Sequence, residues 1–280
     1  MDSFGDASQR RSSASYSRLS QFLRCPLQFY FKRILKLPEP TAGSGLVFGS
    51  AIHNALAYIH NQIKVGETID RDIVIREFLE TWHDYRGTEI KYKANESRKS
   101  LSEMGARLLD LYLENPISVG IRQVEHNVLV PLMNSRHEYL ATPMVSVFDL
   151  LTETNGTVTL HEFKTSARKY SCLEVDLSLQ ATAYANAVYQ LYGQIPIVEF
   201  VVLTKTKTPK IHRIETYRTE QQLLQFGDLV EKVESAIRNN SFYPNPSPMN
   251  CSTCPFREPC KDWEPNPPGK LVQLNGSHAG

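Results

Sequence analysis

EYLATPMVSVFDLLTETNGTVTLHEFK, residues 138–164, decides the fold. Residues 138–151 and 157–164 are rich in β-branched and aromatic side chains. Asn155-Gly156 between them is a strong signal for a two-residue hairpin turn. Side chains alternate between the faces of a strand, so Glu162 and Lys164 point to one side, with Val158 and Leu160 behind them. Asp149 ends the preceding strand, and pairing across the hairpin brings it toward Glu162. Two carboxylates converging beside one amine are costly unless a cation sits between the acids. Hard oxygen donors suit Mg²⁺ or Mn²⁺. Such an ion acidifies water and polarises a phosphodiester oxygen, while Lys164 positions the water or stabilises developing charge. On the letters alone, the same trio also reads as a solvated hairpin face with a weak cross-strand ion pair.

Outward from the hairpin, the N-terminal side is helical. Ser17 is read as the cap of a helix carrying Leu19, Phe22 and Leu23, and Pro26 opens the next turn, where Phe29 and Tyr30 are buried. Amphipathic helices are expected over 47–62, 70–86 and 97–114, the first with Ile52, Leu56 and Ile59 on one side and His53 beside that stripe. Residues 121–131 read as a strand. After the hairpin come a long helix over about 174–192, ending near Gly193, strands over 196–204 and 210–217, and a helix over 219–239. The sum is a mixed sheet flanked by helices. Residues 1–14 and 266–280 read as tails.

Gln180 and Tyr184 are four residues apart and share a helix face that can border the Glu162–Lys164 strand. Their amide and phenol suit a phosphate oxygen or the orientation of the lysine. His53 would complete an Asp/Glu/His ligand set. The simpler readings are a core tyrosine, a surface glutamine and a satisfied core histidine.

Three of the five cysteines, Cys251, Cys254 and Cys260, crowd one C-terminal loop. That spacing leaves zinc, an iron–sulfur cluster, and unligated or disulfide-bonded cysteines all open. Cys25, beside Pro26, is the natural fourth ligand. Cys172 competes for that place and reads as a buried small hydrophobe.

With 280 residues there is length for one large domain or two small ones, and a hydrophobic fraction of 41% is ordinary for a globular protein. No apolar run is long enough for a membrane span, and the N-terminus lacks a secretory apolar stretch, so a cytoplasmic location is expected. The net charge of +1 provides no global field for nucleic acid, although a local basic groove suffices. Lys91, Lys93, Arg98, Lys99, Arg168, Lys169, Lys205, Lys207 and Lys210 could line one; a solvated surface is the simpler account of them. No phosphate-binding loop of an ATPase is present, so the chain is not expected to unwind duplexes alone.

Taken in order, SYSRLSQFLRCPLQFYF, FGSAIHNAL, SVFDLL, HEFKT and DLSLQATAYANAV resemble the motifs of the PD-(D/E)XK nucleases of the RecB type, which include the AddB nuclease and the CRISPR-associated RecB-like exonucleases. The likeness spans about residues 15–262. It implies an α/β (α+β), restriction-endonuclease-like mixed sheet flanked by helices. It also implies one nuclease domain over 15–265, with a helical part over 15–115, a catalytic core over 116–240 and an iron–sulfur segment over 241–265. By this resemblance His53, Asp149 and Glu162 hold Mg²⁺ or Mn²⁺, and Asp149, Glu162, Lys164, Gln180 and Tyr184 form the catalytic set. Cys25, Cys251, Cys254 and Cys260 carry a structural [4Fe–4S] cluster. The implied substrate is DNA, single-stranded or at ends. Helicase or CRISPR integrase proteins are the implied partners, in repair, recombination or CRISPR adaptation. A DNA-binding or scaffold subunit with little cleavage is the alternative. Ser146 stands where the family often has Gly, with Val147 and Phe148 after it, which affects substrate contacts rather than the metal site. Glu125 lies where some relatives carry another acid; by the residues alone it is an exposed strand glutamate.

Overall fold

A computed structural model describes residues 13–39, 41–83 and 89–263. A six-stranded mixed sheet forms the centre. Its strands are β1 (Ala14–Ser15), β4 (Ile121–Val130), β5 (Met144–Thr154), β6 (Thr157–Ser166), β7 (Ile197–Thr204) and β8 (Lys210–Thr216). β5 pairs antiparallel with β4 and β6 and parallel with β1; β6 and β7 are parallel, and β8 is antiparallel to β7. A small parallel pair, β2 (Thr41–Gly43) and β3 (Glu89–Lys91), stands apart.

Helices cover both faces. On one side α3 (Ser44–Val65), α4 (Arg71–His83) and α5 (Arg98–Leu113) bury Val47, Phe48, Ile52, Phe78, Trp82 and Leu108 against Leu150, Phe163, Val201 and Leu203 of the sheet. On the other, α1 (Tyr16–Arg24), α7 (Leu179–Tyr192) and α8 (Glu220–Arg238) pack Leu19, Phe22, Ala183, Ala187 and Phe226 against Phe148, Leu160, Phe200 and Val202. The alanines of α7 let that helix lie close on the sheet. A satellite core of Leu27, Tyr30, Phe31 and Phe256 joins α2 (Pro26–Phe29) and the π-turn after it (Tyr30–Ile34) to the C-terminal segment. That segment carries α9 (Pro248–Cys251) and α10 (Arg257–Lys261).

The mixed sheet between helical layers is the expected fold class. Several expected boundaries are corrected. The strand expected from residue 138 starts at Met144, because Pro143 has no N–H for the ladder and only its carbonyl is used, by the Ala14 N–H. Ala14, within the expected N-terminal tail, is buried and pairs with Met144. Residues 1–12 and 264–280, which include the rest of both expected tails, lie outside the described residues. Ser15 rather than Ser17 caps α1, accepting from the Arg18 N–H at 3.2 Å. The helix expected over 174–192 is two, α6 (Cys172–Asp176) and α7, because the Ser178 hydroxyl accepts from the Ala181 N–H and starts a new helix. Arg218 holds that break by donating to the carbonyls of Val175 and Ser178. Cys172 is exposed, not a buried small hydrophobe, since it begins the short α6 at the surface.

Candidate functional site

Pairing of β5 with β6 runs from Thr154↔Thr157 to Leu150↔His161 and ends there, while β6 continues on β7 to Ser166↔Thr204. On the edge of β6 that β5 has left, the peptide groups of Phe163 find side-chain partners instead. The Phe163 N–H donates to Asp149 Oδ2 at 2.8 Å, and its carbonyl accepts from His53 Nε2 at 3.0 Å. Asp149 and His53 are thereby fixed by one residue of the neighbouring strand. The Nε2 bond sets the imidazole tautomer and leaves Nδ1 facing Asp149 Oδ1 at 3.2 Å.

Glu125 comes from the other side of β5. It lies between the pairs Val124↔Leu150 and His126↔Phe148, in register with Asp149. Its φ of 45° is left-handed, a strained state for a residue with a Cβ. One ligand atom each from His53, Glu125 and Asp149 lie within 4.8 Å of one another. Glu162 stands outside that trio, although the sequence pairs it with Asp149. Glu125 is an exposed strand residue, as the periodicity of β4 marks it, yet its kinked backbone turns it toward Asp149, and no letter of the sequence announces that kink.

Glu162 and Lys164 point toward α7. Lys164 Nζ donates to Glu162 Oε1 at 2.5 Å and to Gln180 Oε1 at 2.9 Å. Gln180 Nε2 donates to the same Glu162 oxygen at 2.7 Å and to Tyr184 Oη at 3.2 Å. Lys164, Glu162 and Gln180 thus close one hydrogen-bonded ring, to which Tyr184 is joined through Gln180. Glu162 Oε2 is buried with no hydrogen-bond partner, an open acceptor beside Asp149.

The electrostatics follow from three acids, a histidine and a lysine in one place. Burial opposes charge on His53, but Asp149 outweighs it and raises the imidazole to about 9. Burial, and then Asp149, pushes Glu162 upward, and the same two causes raise Glu125 to about 7. Burial works against the Lys164 ammonium and Glu162 overcomes it, so its pKa is raised. Burial and then Glu162 raise Tyr184, which remains a phenol. A cleft of about 580 Å³ opens here, lined by Gly45, Leu46, His53, Glu125, Lys164 and Thr165 among others. The oxygen-rich donor set and the unpartnered Glu162 oxygen fit a hard divalent cation.

The second convergence is remote from the first. Cys25, Cys251, Cys254 and Cys260 line one cavity of about 250 Å³ and form no disulfide. Burial, then Cys25, Cys254 and Cys251, raise the Cys260 thiol. Among the described residues no three of these sulfurs lie within 4.8 Å of one another. Of the basic residues considered, Arg168 pairs with Glu174 at 2.6 Å and Lys93 with Glu96 at 3.8 Å, while Lys205 sits 4.7 Å above the Phe48 ring.

Comparison with solved structures finds a crystal structure from Eubacterium rectale described as "Putative exonuclease", 16% identical, with a TM-score of 0.50, covering 99% of this chain and 98% of that one. The crystal structure of SSO0001 is 12% identical with a TM-score of 0.36, covering 82% of this chain and 91% of that one. No curated protein matches. The model of the family described as "PD-(D/E)XK nuclease superfamily" matches residues 13–261. That match takes in the β5–β6 hairpin, the helix bearing His53 and all four converging cysteines, and the chain belongs to the PD-(D/E)XK nuclease superfamily.

Proposed function

We propose that the protein is a divalent-metal-dependent deoxyribonuclease, an exonuclease acting on single strands or DNA ends. The reading rests on the convergence of His53, Glu125 and Asp149 ligand atoms within 4.8 Å, beside Lys164 and an unpartnered Glu162 oxygen. It draws support from the superfamily and from the overall likeness to a protein described as an exonuclease.

His53 through Nδ1, Asp149 and Glu125 would hold Mg²⁺ or Mn²⁺, with Glu162 Oε2 close by as a further donor. A cation there supplies Lewis acidity to a phosphodiester and acidifies water. The chain's own residues do the rest. The Phe163 carbonyl keeps the proton on His53 Nε2, so Nδ1 is the nitrogen offered to the ion. Lys164 is a charged donor rather than a neutral base. Two of its three protons are engaged by Glu162 and Gln180, and the third is available to a phosphate oxygen or to the attacking water. Gln180 and Tyr184 hold the pair in place.

At the other site, the four cysteines are inferred to hold a [4Fe–4S] cluster as a structural staple. Tetrahedral zinc with Zn–S near 2.3 Å draws its sulfurs to about 3.8 Å from one another. The wider set here, around a roomy cavity, favours the larger group. A place in repair, recombination or CRISPR adaptation, beside a helicase or integrase, belongs to the same proposal.

End-labelled linear and circular DNA, single- and double-stranded, incubated with Mg²⁺ or Mn²⁺ tests the reading. Cleavage of linear single strands is expected. Asp149→Ala should abolish it, and Lys164→Ala should lower it by roughly 10²-fold or more. Metal-independent cutting, or wild-type cutting by both variants, would overturn the assignment. Iron and zinc analysis of anaerobically purified protein, with a visible spectrum, tests the cluster.

A further inference from the structure

Gln28 is the polar exception in an otherwise apolar turn. Its neighbours in α2, Leu27 and Phe29, are fully buried. Gln28 instead lines the cysteine cavity. Its side-chain Nε2 donates to Cys254 Sγ at 3.6 Å. A second donor, the Asn245 N–H, reaches Cys25 Sγ at 3.4 Å. That second bond belongs to the backbone and is secured by loop packing: Asn250 Nδ2 donates to the Arg24 and Asn245 carbonyls at 3.1 and 2.9 Å. The bond from Gln28 comes from a side chain that can be exchanged without altering the loop. It also crosses the site, running from the N-terminal turn to a cysteine of the C-terminal segment, so it fixes a sulfur and ties two distant parts of the chain at once.

Groups that donate to a ligating thiolate orient it, delocalise its charge and hold the metal more tightly; on iron–sulfur clusters they also raise the reduction potential. We propose that Gln28 is a positioning residue for the four-cysteine site, whose amide orients the Cys254 thiolate, slows loss of the bound metal and raises the potential of a bound cluster. This rests on the reading that the four cysteines hold a metal group.

The test compares wild type with Gln28→Leu, Gln28→Asn and Gln28→Glu, all purified anaerobically as full chains. Iron and zinc content, the visible spectrum, the reduction potential and the rate of metal transfer to a colorimetric chelator are measured, with thermal melts as a check on folding. Gln28→Leu is expected to release metal roughly 10-fold faster and to shift the potential to more negative values. Gln28→Glu, which turns a carboxylate toward a thiolate, should exceed that effect. Gln28→Asn keeps an amide on a shorter stem and should fall between Leu and wild type. Release rates and potentials equal to wild type in the Leu and Glu variants would overturn the proposal while leaving the four-cysteine reading intact. Asn releasing as fast as Leu would overturn the donor role. Wild-type protein free of both metals would overturn the four-cysteine reading itself, and the role of Gln28 with it.

Discussion

Chemistry-bearing side chains gather both in the cleft around Asp149 and in the corner around Cys25, and different means hold them together. The cleft is local. Asp149, Glu162 and Lys164 come from one hairpin, and His53 is latched to the same strand through the Phe163 carbonyl. The corner joins parts of the chain about 220 residues apart, and rings do the joining. Phe242 packs on Tyr30 at 4.8 Å and on Phe29 at 6.3 Å, and Trp263 packs on Tyr30 and Phe31. On the proposed reading, side chains in the cleft serve chemistry. On that reading the cysteines help close the scaffold, so the two regions should fail in different ways.

The largest expected effect tests that difference at the corner. If the four cysteines hold a metal group as proposed, Cys25→Ser removes one ligand from a site whose binding free energy is folding free energy. It should release the metal and lower stability by about 3 kcal/mol, comparable to losing a long-loop staple, or roughly 10 °C in melting temperature for a chain of this size. Lys164→Met in the cleft should leave metal content at the corner unchanged, and any loss of melting temperature there comes from leaving buried Glu162 without its ammonium partner. A Cys25→Ser protein with wild-type melting and metal content would erase the distinction.

A smaller effect runs in the opposite direction. Without a cation, the cleft is destabilised by its own acids. Although the Glu125 residue reaches the surface, partial burial of its carboxyl and then Asp149 raise its pKa from 4.5 to about 7. Folding therefore favours its protonated form, and this contribution to stability is lost as pH rises from about 4.5 through about 7. Glu125→Gln should raise the melting temperature of metal-free protein at pH 8 and leave it nearly unchanged at pH 4. Added Mn²⁺ should stabilise wild type more than the variant. If Gln lowers the melting temperature at pH 8, the carboxylate is a stabilising surface group and not a metal ligand held against repulsion.

How much of this was legible in the sequence divides along the same line. The hairpin was readable because Asn155-Gly156 fixes a register and strand alternation then fixes faces; Glu162, Lys164, Gln180 and Tyr184 meet as their spacing implies. His53 was placed by likeness to a family motif, and its latch to Phe163 has no signature in the letters. Glu125 joins the group through a left-handed kink that periodicity cannot express. The cysteine loop was visible as a spacing, but its closure onto Cys25 depends on aromatic packing across the whole chain, which no local pattern encodes. The break at Ser178 carries no sequence signal of its own, because the apolar residues on either side continue one helical stripe, which the cap and Arg218 override.

The smallest expected effect probes whether register alone places the cleft. Asn155 and Gly156 have φ of 51° and 78°, both left-handed, as a tight hairpin turn demands. A Cβ at Gly156 meets nothing within 4 Å, so Gly156→Ala introduces backbone strain without a clash. The cost should be about 1 kcal/mol, a few degrees in the melting temperature. Because the ladder from Thr154↔Thr157 to Leu150↔His161 is anchored on both flanks by β4 and β7, the register should survive and cleavage per folded molecule should stay at the wild-type level. Loss of cleavage out of proportion to the stability change would mean that the turn itself sets the spacing of Asp149 and Glu162. The cleft would then be held by a single two-residue loop and not by the sheet around it.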